Sequence, residues 1–155
     1  MDALDREILS RLQEDGRLSV TDLASDVGLS LSTCHRRLKE LERSGAIEGY
    51  RAILSPEALG LGFEAIVFVT LAMSNREAVA AFEEAVAAIP NVVSAERLFG
   101  EPDYILHVLA RDLDDYQELY DGTLGRLPGV TRLTSTLVMK RVRSPRTVPV
   151  DVKGR

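Results

Sequence analysis

Tryptophan is absent from this chain of 155 residues, cysteine occurs once, and aromatic residues make up only 5%. The single cysteine, Cys34, excludes an internal disulfide and any metal cluster built on cysteine ligands. The two histidines, His35 and His107, lie far apart with no companions at ligand spacing, so no metal is expected. No apolar run approaches the roughly 20 residues that cross a bilayer. The opening MDALDREIL is acidic and amphipathic, unlike a signal peptide. A cytoplasmic location with no membrane partner is expected. There is no phosphate loop, no zinc motif and no nucleophile beside a base. Catalytic residues and cofactors are therefore not expected, and the chain does not read as an enzyme. Positive charge is in deficit too, with a formal net charge of −5.

What is present begins with the stretch Val20–Ser44, VTDLASDVGLSLSTCHRRLKELERS. Ser30 is suited to cap a helix, because its hydroxyl accepts an otherwise orphaned backbone N–H. Leu31, Cys34, Leu38 and Leu41 then recur three and four apart and share one face. At about 100° per residue, Ser32, Arg36, Lys39 and Arg43 fall opposite, with Thr33, His35 and Arg37 flanking them. Gly45 marks the stop. Ahead of this helix, Ser19 and Asp22 form a variant capping box, and Val20, Leu23, Ala24 and Val27 make an inner stripe. Gly28 supplies the tight turn between the two helices. A short helix, a glycine turn and a second helix with donors on its outer face make a helix-turn-helix. Lys and Arg neutralise phosphates, and Arg can bond a guanine edge with two hydrogen bonds. Cys34 falls on the inner face and reads as a small core residue rather than a redox sensor.

The charge is unevenly spread. Residues 1–54 are near balance, 55–139 are strongly acidic, and the end, KRVRSPRTVPVDVKGR, is strongly basic. A duplex responds to charge within a Debye length of about 8–10 Å, so the local basic ridge matters more than the total.

In chain order, Asp2–Asp15 is predicted as a helix with Leu4, Ile8, Leu9 and Leu12 inward. Ile47–Leu54 reads as a strand, forming either a wing or a linker strand. There Arg51 is either a phosphate contact or a solvated strand residue. SPEALGLG, residues 55–62, is a Pro/Gly-rich boundary. A β-α-β-β-α-β order follows. Strands are expected over Glu64–Met73, Val92–Phe99, Tyr104–Ala110 and Val130–Met139, and helices over Arg76–Ala88 and Leu113–Leu124. Val79, Phe82, Val86 and Ile89 point inward from the first helix. Leu113, Tyr116, Leu119, Tyr120 and Leu124 point inward from the second. Each helix ends in a similar signal, IPNV and LPGV, which marks an internal repeat of a split-βαβ, ferredoxin-like sandwich. Helices on one face leave the other sheet face uncovered, and a second copy packed sheet to sheet would cover it, so a homodimer is expected. The basic end is a solvated tail or an edge strand.

These residues together carry a family resemblance. LDREIL, LASDVGLSLSTCHRRLKELERSGAIEGY, FGEPDY and LPGV, in this order and spacing, resemble the Lrp/AsnC (feast/famine) transcriptional regulators from Leu4 to about Val142. The resemblance implies an α+β protein with a winged helix-turn-helix joined to a βαββαβ ligand-binding and dimerisation domain that often assembles further, to tetramers or octamers. The expected division is 1–54 for DNA binding, 55–62 as linker, 63–142 for effector and oligomer, and 143–155 as basic tail. It implies double-stranded DNA as partner, contacted through Ser30, Ser32, Thr33, Arg36, Arg37 and Lys39, to which the residues themselves add His35, Arg43 and Arg51. It also implies an amino acid or related metabolite as effector. That site would take Gly100, Glu101, Asp103 and Tyr104 from the loop after the second strand, and Thr134 and Thr136 from the last strand. A glycine-bearing loop turns N–H groups toward a carboxylate, although Gly-Glu-Pro-Asp is also an ordinary turn sequence. Pro102 departs from an aromatic residue common at this place and removes a backbone donor. The leading reading is a sequence-specific, ligand-responsive regulator. An architectural DNA-organising protein with little ligand response, and a metabolite-binding module that leaves DNA alone, are the alternatives.

Overall fold

A computed structural model describes residues 1–72, 75–142 and 148–150. The chain divides into two compact units, Met1–Ile53 joined by the C-terminal residues, and Leu54–Val142.

The first unit is three helices, α1 (Ala3–Glu14), α2 (Val20–Asp26) and α3 (Leu31–Arg43). Each is capped as its sequence dictates. Asp2 and Asp5 form a reciprocal capping box on α1, Ser19 accepts from the Asp22 N–H, and Ser30 accepts from the Thr33 N–H. Such caps contribute about 1 kcal/mol each. Gly28 takes φ +67°, and the next amide, Leu29 N–H, closes back on the Ala24 carbonyl at 2.9 Å. Ile8, Leu23, Ala24, Cys34, Leu38 and Leu41 form the core. Burial pushes the Cys34 thiol pKa up, which keeps it protonated and unreactive.

Two expectations fail in this unit. Ile47–Leu54 forms no strand. A strand needs a neighbour to complete its ladder, and none of the described residues pairs with it; Ile53 stands 95% exposed. Leu31 is 54% exposed. It occupies the first helical position, where the helix has already passed beyond the core's edge.

The second unit opens with a 3-10 turn, Glu57–Leu59, and then builds β1 (Phe63–Leu71), α4 (Arg76–Ala87), β2 (Val92–Arg97), β3 (Tyr104–Ala110), α5 (Leu113–Gly122) and β4 (Val130–Leu137). The sheet order is β2-β3-β1-β4, with every neighbouring pair antiparallel. This is the split-βαβ sandwich. Ala65, Val67, Val69 and Leu71 alternate onto the helix-covered face. There they meet Phe82 and Val86 from α4, Ile89 just after it, Leu106 and Val108 from β3, and Tyr116 from α5. Full burial of such a side chain is worth roughly 1.5–3 kcal/mol.

Leu113 does not join this core and is 62% exposed, because it is the first residue of α5. Leu124 is buried as expected, but a separate 3-10 turn, Leu124–Arg126, carries it rather than α5. β2 and β4 stop two residues short of their expected ends, and Met73, the expected last residue of β1, lies outside the described residues. Of the expected basic tail, 143–147 and 151–155 also lie outside them.

Period-two alternation sends the remaining side chains to the open face. Register sets Ile66 opposite His107 and Thr136, and Phe68 opposite Ile105 and Thr134. Ile66, Phe68, Ile105 and His107 are half-buried there. Glu64 sits at one end of this face, bonded to Arg141 at 2.7 Å and 3.9 Å from the His107 ring.

Candidate nucleic-acid interface and effector site

The Ser30 cap organises the start of α3. Its hydroxyl lies 2.8 Å from the Thr33 hydroxyl and 3.3 Å from that of Ser32. Three small hydroxyls thus surround a helix N-terminus, where the partial positive charge of free N–H groups favours a phosphate oxygen.

Farther along, Lys39 pairs with Glu42 at 2.8 Å, and Arg43 pairs with Glu40 at 2.6 Å. These bonds hold both cations' pKa values above their ordinary levels and both carboxylates' below. The lysine and arginine are more than 60% exposed. Exposed i,i+3 pairs of this kind are weak, and a phosphate can displace the glutamate. His35 lies exposed on the flank near Glu42, and Arg51 is exposed in the irregular segment after α3. Tyr50, which no motif or periodicity singles out, reaches back to Glu42 with its hydroxyl at 3.4 Å.

Arg36 stands apart. It is exposed on the outer face and forms no hydrogen bond or ion pair among the described residues, while Glu40 one turn on feels its charge. Its five donors are available to an incoming group.

Arg37 has partners that the helical wheel does not show. Its guanidinium bonds Asp2 at 2.8 Å and Asp5 at 2.7 Å, and its side chain is only 20% exposed. The same two carboxylates form the capping box of α1, so Arg37 fastens α3 to the start of α1 through Nη1, while its Nε is buried without a hydrogen-bond partner among the described residues. The Asp5 N–H and the Arg37 guanidinium hold the Asp2 carboxyl below its ordinary pKa of 3.8. The bracket is therefore complete above that pH and weakens as the pH falls through the lower folded-state value.

In the second unit, the turn after β2 is knitted to β1. Leu98 N–H donates to the Asp103 carbonyl, Asp103 N–H donates to the Val69 carbonyl, and the Asp103 carboxylate accepts from Leu71 N–H at 2.8 Å. One carboxylate oxygen thus already has a structural role, and the other accepts no hydrogen bond among the described residues. Gly100 has φ +138°, a conformation that an L side chain rarely adopts, and Glu101 is exposed beside it.

The structure does not bring all six expected effector residues together. Tyr104 lies opposite Val69 on the helix-covered face, 3% exposed. Its ring packs 4.6 Å from that of Phe82, and its hydroxyl donates to Glu83. Burial, then that bond, pushes its pKa up to about 12. Its side chain belongs to the core. Thr134 and Thr136 lie on the other face, with Thr134 nearer the loop end. At that end, Arg132 pairs with Thr70 on the open face and carries no hydrogen bond or ion pair among the described residues. Strand parity alone would have found it, once β1 was paired with β4.

A capped helix-turn-helix with a donor-rich outer face, in one chain with a split-βαβ sandwich, defines a DNA-binding regulator that carries a small-molecule domain. Comparison with known proteins agrees. Residues 1–48 match the model for winged helix-turn-helix DNA-binding domains, and residues 64–148 match that of the Lrp/AsnC ligand binding domain. The leucine-responsive regulatory protein of Haemophilus influenzae is 38% identical over 92% of this chain and 86% of its own length. The DNA-binding transcriptional activator DecR of Escherichia coli is 34% identical over 97% of this chain and 99% of its own. A transcriptional regulator of Neisseria meningitidis, solved as its complex with L-Met, superposes with a TM-score of 0.91 at 36% identity, covering 96% of both chains. The chain belongs to the Lrp/AsnC family of transcriptional regulators.

Proposed function

We propose that residues 1–54 dock on double-stranded DNA through the α3 outer face. Ser30, Ser32 and Thr33 meet a phosphate, and Arg36 reads a base edge. Lys39, Arg43, His35 and Arg51 supply phosphate contacts. The observation that carries this reading is Arg36, an arginine without a hydrogen bond or ion pair among the described residues, in a ridge where Lys39 and Arg43 have carboxylate partners. Residues 63–142 form the effector and assembly domain. Two sheets pack open face to open face, centred on Ile66, Phe68 and Ile105, giving a homodimer that assembles further and sets two α3 helices one helical turn apart. The effector is an amino acid. Its carboxylate meets Arg132 and the N–H groups around Gly100, its ammonium meets the free oxygen of Asp103 and Glu101, and Thr134 borders it. The protein is a cytoplasmic regulator without catalytic activity. The effector acts only if it binds one arrangement of the DNA-binding units better than another.

A thermal-shift screen of the twenty amino acids tests the effector site. At least one is expected to raise the melting temperature, since a ligand at 100 times its Kd adds about 2.7 kcal/mol. Arg132→Ala should abolish the shift without lowering the unliganded melting temperature. A hit whose shift survives Arg132→Ala would remove that residue from the site.

A further inference from the structure

The first unit has an apolar groove between α1 and the segment after α3. It is a cleft of about 400 Å³, walled by Leu9, Leu12, Ile47 and Tyr50. The chain's own C-terminal stretch completes its wall through Val148 and Val150. Gln13, near the end of α1, holds that stretch by its backbone. The Gln13 carboxamide donates to the Val148 carbonyl at 3.1 Å and accepts from the Val148 N–H at 2.6 Å. One planar amide thus engages both polar groups of one residue, as a neighbouring strand would.

The sequence favours this geometry. Pro149 biases Val148 toward an extended backbone, which lowers the ordering cost of docking. In an extended chain Val148 and Val150 project the same way. Val150 is half-buried, while Val148 is anchored by its backbone and keeps its side chain largely exposed.

We infer that Val148–Val150 is a built-in ligand of the DNA-binding unit, docked as an extended strand with Gln13 as its receptor side chain. The occupant is this chain's own tail, because both hydrogen bonds and the apolar lining are made by it. Docking braces Ile47–Tyr50, the segment that leaves the recognition helix, so the tail sets how freely that segment moves.

Limited trypsin digestion of the full-length protein tests this. Cleavage after Arg146 requires the protease to engage the following residues, Val148 included, and docking withholds Val148. Two variants release the tail. Gln13→Glu keeps size and acceptor but loses the donor and repels the carbonyl. Gln13→Ala removes both bonds while raising helix propensity. Cleavage after Arg146, followed by mass spectrometry, is expected to be at least tenfold faster in both variants than in the wild type, with α1 and α3 intact by circular dichroism. Equal rates in all three proteins would overturn the inference. Wild-type protection that vanishes on dilution would assign the groove to another molecule's tail and overturn it equally.

Discussion

Arg36→Ala is expected to weaken binding to a duplex selected in vitro by the protein at least tenfold, with the melting temperature close to that of the wild type. The size follows from the chemistry. A guanidinium bonded twice to a guanine edge discriminates by about 1–3 kcal/mol, and 1.4 kcal/mol is a factor of ten. The unchanged stability follows from the structure, since Arg36 is exposed and has no hydrogen bond or ion pair to lose among the described residues. Arg37→Ala, one residue on, should behave in the opposite way. It leaves Asp2 and Asp5 without their cation and loosens α3 from α1, so the melting temperature falls while affinity, measured well below that temperature, holds. Gel shifts and thermal melts on both variants separate the two roles. Equal affinity losses in both would mean that the outer face is wrongly assigned.

Phe68→Asp is expected to turn the proposed sheet-to-sheet dimer into monomers at micromolar concentration, with a loss in dimer affinity of at least a hundredfold. Phe68 sits near the centre of the open sheet face, paired with Ile105 on one side and Thr134 on the other. A carboxylate placed there would have to give up its hydration beside Ile66, Ile105 and the apolar face of a second copy, and burying a charge is strongly unfavourable. In the monomer the same position faces water, so the unit still folds around its other face. DNA affinity should fall with the dimer, because a single α3 grips one half-site only. Sedimentation equilibrium reads the assembly directly, and an intact dimer would move the interface elsewhere.

Much of this fold is legible in the chain because local chemistry and tertiary need coincide. Ser19 and Ser30 are good caps, and each caps a helix. Tyr104–Ala110 is a β-rich run between turn signals, and β3 has those bounds. The failures have a common cause, which is that periodicity ranks a position without naming its neighbour. A helical wheel puts Arg37 on the flank of the basic face, but the two carboxylates that claim it belong to α1. Tyr104 begins its strand, and only pairing with β1 decides which face it joins. Ile47–Leu54 has strand-like residues but no strand beside it among the described residues. The site is less legible than the fold for the same reason. Arg132 becomes a candidate only when register places it on the open face, and Asp103 shows its structural bond to Leu71 only once β1 and the loop meet.

Methylation interference on a selected duplex tests the major-groove docking of α3 most directly. Guanine N7 lies in the major groove and adenine N3 in the minor, so the two methylated positions distinguish the grooves. The account predicts interference at guanine N7 in two clusters about 10 base pairs apart, with the signal at one guanine of each cluster lost in Arg36→Ala. Binding untouched by N7 methylation, or blocked only at adenine N3, would contradict it.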